Sequence, residues 1–172
     1  MSSEQVIMDE LHAATREHPE WTALATTLDD PTVSVHLAVM LEPFLRYVLN
    51  GQKTVESRFS KNAIAPYGKV APGDLVLMKA GPVVGSFRVA SVEFGMLNGG
   101  ELARLRHDYA RTICADDDQF WQARADKRYA TLVGVDDVRK LPQITVPKRD
   151  RRGWVVLRAV KTGSANDVLD LW

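Results

Sequence analysis

One cysteine, Cys114, stands in 172 residues, so the chain forms no internal disulfide, and no cysteine pair supplies a zinc spacing. The four histidines are scattered, and neither a metal nor a cofactor is expected. No apolar run approaches membrane-spanning length, and Met1 to Arg16 carries acids where a secretory signal needs a basic end and an apolar stretch. A soluble, cytoplasmic protein in a reducing compartment, with no membrane contact, is therefore expected. Asn98-Gly99-Gly100 lacks the following lysine and serine or threonine of a phosphate loop, which argues against nucleoside-triphosphate chemistry. Ser57, Ser60 and Ser91 stand in no nucleophile motif, so a serine hydrolase is not indicated. Net charge is also absent: 22 basic residues balance 22 acidic ones, unlike the strongly basic non-specific nucleic-acid binders.

What the chain does have is a hydrophobic fraction of 45%, ordinary for one globular domain, and a segregation of charge. From Ser2 to Asp30, seven acids face only Arg16, whereas from Arg139 to Lys161 eight basic residues face only Asp150. Such a dipolar surface steers an anion to one side; otherwise these are solvated loops.

Val6, Ile7, Leu11 and Ala14 recur at helical spacing behind the caps Ser2 and Ser3, predicting an amphipathic helix that ends near His18-Pro19 and extends the domain. Val33 to Leu41 reads as a buried strand, with His36 a satisfied core histidine, and Pro43 opens a short helix that Asn50-Gly51 stops. Thr54 to Ser60 alternates, placing Val55, Ser57 and Phe59 on one side and Glu56 and Arg58 on the other. Ala71 to Asp74 is a turn, Leu75 to Lys79 and Val83 to Phe94 are strands, Glu101 to Ile113 and Asp117 to Lys127 are helices, and Tyr129 to Val135 and Gly153 to Val160 are closing strands. That order predicts an α+β fold with a mainly antiparallel sheet, with residues 1–31 as a helical extension, 32–161 as the domain and 162–172 as a tail.

The informative stretch is Leu49 to Arg58. Glu56 and Arg58 share a strand face and Lys53 enters just before it, so all three heads can converge. An arginine fork recognises planar or anionic groups, and a lysine beside an acid carries protons or attacks as a nucleophile. The alternative is an exposed ion-pair ladder, worth well under about 1 kcal/mol per pair.

The apolar helix running into Val48-Leu49-Asn50-Gly51-Gln52-Lys53-Thr54-Val55-Glu56-Ser57-Arg58, followed by Ala71-Pro72-Gly73-Asp74-Leu75-Val76 and Gly85-Ser86-Phe87-Arg88-Val89, resembles the ASCH family over about Val33 to Val160. The resemblance implies a PUA-like β-barrel flanked by helices, with the charged groups in a cleft. It also implies relatives that bind RNA, read modified bases, cleave RNA, or hydrolyse N4-acetylcytidine. In the acetylcytidine amidohydrolases the run is lysine, two residues, threonine, one residue, arginine, with a glutamate further on. Lys53 and Arg58 match that run, Glu56 replaces the threonine, and Glu93, Glu101 and Asp108 remain open for the later acid.

The expectation is a domain that binds RNA or a modified nucleoside. In the hydrolase alternative, an amidohydrolase or a ribonuclease, Lys53 and Glu56 are the catalytic pair; Arg58 and Thr54 hold the ligand. Phe120 and Tyr129 are candidates to stack a base, against core packing for Phe120, Trp121 and Trp154. Lys148, Arg149, Arg151 and Arg152 are candidates for phosphate contact. A protein partner meeting the acidic first helix is a third reading. Cys114, next to Asp116 to Asp118, is expected to have a raised thiol pKa rather than an activated one.

Overall fold

The computed structural model describes residues 1–160; the expected tail, with Val168, Leu169, Leu171 and Trp172 as its anchors, lies outside the described residues. Helix α1, Ser3–Glu17, is capped by the Ser2 hydroxyl, which accepts from the Gln5 amide at 3.1 Å, and it buries Ile7, Met8, Leu11 and Ala14. Two short helices follow, α2 (Pro19–Thr22) and α3 (Ala25–Asp29). Then come β1 (Val35–Val39), α4 (Phe44–Leu49), β2 (Val55–Ser60), β3 (Leu75–Lys79) and β4 (Val83–Met96). Gly99 and Gly100, at φ of 51° and 77°, turn the chain from β4 into α5 (Glu101–Ile113). The remaining elements are α6 (Asp118–Gln122), β5 (Tyr129–Ile144) and β6 (Trp154–Arg158).

The strands form one curled half-barrel in the order β2-β5-β4-β3-β1-β6, antiparallel except where β1 runs parallel to β3. This is the α+β, mainly antiparallel, helix-flanked barrel that the sequence predicts. Three details differ. Helices α2 and α3 are single turns that carry Trp21 and Leu28 into the core, too short to leave a periodic signal. Helix α6 stops at Gln122 because Ala123 to Lys127 offers no large apolar side chain to bury after Trp121. Strand β5 runs nine residues past Val135, through Asp137 at positive φ and shifts of register against β4. Asp136-Asp137 and Pro142 read as breakers in sequence, but a bulge absorbs the first and the end of the strand tolerates the second.

Each strand's alternation decides what covers it. On β1, β3 and β6, Val35, Leu37, Leu75, Leu77, Val155 and Leu157 face the N-terminal helices, packing against Ile7, Leu11, Trp21 and Leu28. Their neighbours Ala38, Val76, Met78 and Trp154 face the barrel interior, which α4 plugs with Leu45 and Val48. A strand buried on both faces needs a helix outside it, which accounts for the unbroken apolar run in β1. The N-terminal helices are thus packed onto the sheet, each fully buried leucine stabilising by roughly 1.5–3 kcal/mol. At the other end of the sheet, α5 and α6 cover the outside of β2 and β5 through Leu105, Ile113 and Trp121 on Ala130 and Leu132.

Candidate functional site: a charged cleft at the seam of the sheet

The two edge strands, β2 and β6, approach each other across the open side of the half-barrel, and Arg58 closes the gap. Its Nε donates to Glu56 Oε1 at 2.8 Å, one terminal nitrogen donates to the Gly153 carbonyl at 3.2 Å, and the other donates to the Val39 carbonyl at 2.9 Å. Those carbonyls lie at the end of β1 and just before β6, so one side chain of β2 clasps the opposite edge. Most of the guanidinium's donors are thereby used inside the protein.

Lys53 reaches the same point from the end of α4. Gly51, at φ 82°, lets the chain double back so that the Lys53 amide donates to the Tyr47 carbonyl at 2.9 Å. The Lys53 ammonium then lies 2.8 Å from Glu56 Oε2 and 4.6 Å from the centre of the Phe44 ring. Lys53 and Glu56 are only 3% and 4% exposed, so the exposed-ladder reading fails for this pair. Burial is the largest influence on the Glu56 carboxyl and pushes its pKa up. The charges of Arg58 and Lys53, and hydrogen bonding to both, outweigh it and hold the carboxyl below its ordinary range. Oε1 of Glu56 is thus taken by Arg58 and Oε2 by the Lys53 ammonium, so both carboxylate oxygens are charge-compensated within the protein.

Above this triad opens a cleft of about 400 Å³. Its walls are Met40, Leu41, Phe44, Phe59 and Phe120, with Arg124 and Lys127 at the far side. The Phe120 ring packs 5.8 Å from Phe44 and 6.2 Å from Phe59, and the Arg124 guanidinium carbon lies 3.4 Å from the Phe120 ring centre. Burial lowers the pKa of Arg124, with the charge of Glu56 opposing. The volume falls within the range of small-molecule clefts, and the lining sets apolar rings around a few convergent polar groups.

Of the residues singled out in the sequence, Lys53, Glu56, Arg58 and Phe120 meet in this cleft. Thr54 does not line it; its backbone ties β2 to the Thr112 carbonyl at 3.0 Å and to the Val135 amide at 2.9 Å. Tyr129 also lies outside it, 4.9 Å from the Tyr67 ring. The loop Lys148 to Arg152 contributes none of the lining: Lys148 and Arg152 close on Asp150 at 3.2 and 2.8 Å, and Arg152 reaches Glu4 of α1 at 3.0 Å. Trp121 and Trp154 are core, each 3% exposed. Glu93, Glu101 and Asp108 converge on Arg104 beside α5, away from the cleft, so none of them supplies it with a second acid. At Cys114, burial pushes the thiol pKa up, with Lys53 lowering it and Asp116 raising it.

Sequence reasoning missed Phe44, Phe59, Arg124 and Lys127, and it missed what stands behind Arg58. There His36 Nε2 pairs with Asp74 Oδ2 at 2.8 Å, and the Trp154 indole N–H donates to His36 Nδ1 at 3.1 Å. With Nδ1 accepting, the ring proton sits on Nε2 and is donated to Asp74, a neutral imidazole fully satisfied in the core. The Trp154 ring lies 5.3 Å from the Arg58 guanidinium. The Pro72-Gly73-Asp74 turn and the Lys53–Arg58 run, distant in sequence, are joined by this buried chain.

No family model and no curated protein sequence matches the chain. Among solved structures, the ASCH protein of Zymomonas mobilis is similar at 17% identity and a TM-score of 0.57, over 75% of this chain and 90% of that one. Two mutants of the same Zymomonas protein match at TM-scores of 0.57 and 0.58, again at 17% identity. At that identity the likeness concerns the fold, and the chain carries an ASCH-like fold: a curled α+β half-barrel flanked by helices.

Proposed function

We propose that the cleft binds RNA or a modified nucleoside by one base, held edge-on by Glu56 and Lys53. The observation that carries this is the Lys53–Glu56 pair, 3% and 4% exposed and 2.8 Å apart, in the lining of an aromatic-walled cleft. Arg58 and Lys53 each engage one carboxylate oxygen, and the remaining lone pairs of that carboxylate are the acceptors offered to a ligand N–H. The exocyclic amine of cytosine is a donor of the right kind, and the Lys53 ammonium beside it faces the acceptors on the same edge of the base. Phe44, Phe120 and the Arg124 plane supply faces for stacking. Arg58, its donors largely committed to the seam, sets the position of Glu56 more than it grips a ligand.

A hydrolase reading rests on the same Lys53–Glu56 pair. Binding is favoured over it because a carboxyl held below its ordinary pKa is a weaker base, and because no second acid lines the cleft among the described residues. The test is calorimetric titration with cytidine, N4-acetylcytidine, uridine and a short cytidine-containing RNA, with product followed by chromatography, for the natural chain, Glu56→Gln and Lys53→Met. Amine-bearing ligands should bind more tightly than uridine, lose affinity in both variants, and emerge unchanged. Lys53-dependent product would replace this reading with the hydrolase, and no binding of any ligand would end both.

A further inference from the structure

Resting on that reading, we infer that the ligand is a single-stranded polynucleotide rather than a free nucleoside, and that Tyr67, Phe94 and Tyr129 form a second base-stacking subsite beside the cleft. Directly opposed residues of an antiparallel pair share a sheet face. Arg58 opposes Thr131, which opposes Phe94, and Ser60 opposes Tyr129, which opposes Met96. The aromatic group therefore continues the very face that carries Glu56 and Arg58. Ser60 lies two strand positions beyond Arg58, about 7 Å at the strand rise, a step that one extended nucleotide spans.

This patch is left open. Phe94 is 41% and Met96 57% exposed, although neighbours on the same face, such as Val133, are fully buried. Tyr67 leans over it, its ring 5.4 Å from Phe94 and 4.9 Å from Tyr129. The surrounding charge selects a polyanion over an apolar protein segment. Arg124 and Lys127 stand on the cleft wall, and Arg128 adjoins Tyr129, its amide donating to the Ser60 carbonyl at 2.9 Å. Lys69 lies in the Tyr67 loop, and neither Arg128 nor Lys69 has an ion-pair partner among the described residues. The acids nearby are spent: Asp126 pairs with Lys61 at 3.0 Å and with Lys127 at 3.8 Å, and Glu93, on the other face of β4, is held by Arg104 and Tyr109. An exposed ring and two half-buried ones beside the unpaired Arg128 and Lys69 make a sequence-tolerant platform for single-stranded bases.

The experiment is a length series, cytidine 5′-monophosphate and then di-, tri- and hexanucleotides, titrated into the natural chain, Phe94→Ala, Tyr67→Ala and Tyr67→Phe, with thermal unfolding of each variant as the control for folding. Affinity should rise about tenfold or more from the mono- to the trinucleotide, and each alanine variant should lose most of that rise while keeping its affinity for the mononucleotide. Tyr67→Phe, which retains the ring, should keep it. Mononucleotide binding that depends on Lys53 but does not strengthen with length would overturn the second subsite and leave the cleft reading standing. Length-dependent binding unaffected by the alanine variants would overturn it as well, and absence of any Lys53-dependent binding would remove the reading on which it rests.

Discussion

Lys53 and Arg58 share one carboxylate, Glu56; Lys148 and Arg152 share another, Asp150. In the first group the carboxylate side chain is 5% exposed, in the second 37%, and the second group also draws on Glu4 from α1. The Lys148 side chain is 6% exposed, but Asp150 and Arg152 are 37% and 52% exposed, so water screens the loop's shared acid and its pairs contribute less than the seam's. At the seam, desolvation of three charges is expensive, and apolar side chains of similar volume would hold the barrel as well or better. A buried ionic triad that opens onto a cleft is therefore poor evidence for stability and better evidence for a task. The richest run of charge in the sequence and the charged cleft of the fold are different places.

The sharpest way to break this comparison is to remove the shared acid. Glu56→Leu strands Lys53 and Arg58 in the interior and should destabilise the fold by about 3–5 kcal/mol in chemical denaturation. Adding Lys53→Met to it should restore much of that loss without restoring ligand binding. Asp150→Ala should cost far less, about 1 kcal/mol or under, because water reaches the shared acid. If Glu56→Leu alone is harmless, the triad is hydrated and the contrast between the two regions disappears.

Acid and salt sharpen the comparison at a smaller scale. The Glu56 carboxyl sits below its ordinary value of 4.5, and the Asp150 carboxyl is likewise depressed, with the Arg152 hydrogen bond as the chief cause. A carboxyl with a depressed native pKa adds stability that is complete above the unfolded value and is lost as pH falls through the native one. The Glu56 contribution should therefore stay flat from pH 7 to about 5 and decline only below 4.5, measured as the difference between the natural chain and the Glu56→Leu, Lys53→Met pair. At 1 M salt, where screening acts over about 3 Å, the loop's share of the acid response should vanish and the seam's should persist. A difference curve that instead rises as pH falls from 7 toward 5 would mean that Glu56 takes up its proton more readily in the native protein than in the unfolded chain.

The seam's chemistry was legible because it is local. Alternation in Thr54 to Ser60 put Glu56 and Arg58 on one face, and the glycine stop after α4 delivered Lys53 to them. The apolar stripe of α1 and the doubly apolar β1 likewise follow from period alone. The rest depends on contacts between elements far apart in sequence. Arg124 follows a helix of a single turn, and it matters only because α6 sets it against Phe120. His36, Asp74 and Trp154 each read as ordinary core or turn residues, and their hydrogen-bonded chain appears only when β1, the turn before β3 and β6 come together. Tyr129 was singled out for a stacking role in the cleft, yet its strand position places it two residues further along the same face, beside Tyr67.

The smallest expected effect tests the loop directly. Arg149 and Arg151 are exposed and have no ion-pair partner among the described residues, whereas Lys148 and Arg152 are taken by Asp150. Replacing Arg149 and Arg151 together by serine should therefore leave stability unchanged. It should also leave affinity for a mononucleotide unchanged, because neither side chain lines the cleft. For a longer RNA, each phosphate deprived of its arginine lowers the slope of log affinity against log salt by about 1, so a fall of about 2 would place both arginines on the strand beyond the base site. An unchanged slope would make the loop a solvated surface and confine the proposed RNA contact to the seam and its aromatic flank. A drop in mononucleotide affinity would do the reverse, drawing the loop into the cleft and erasing the distinction between the buried and the exposed group of charges.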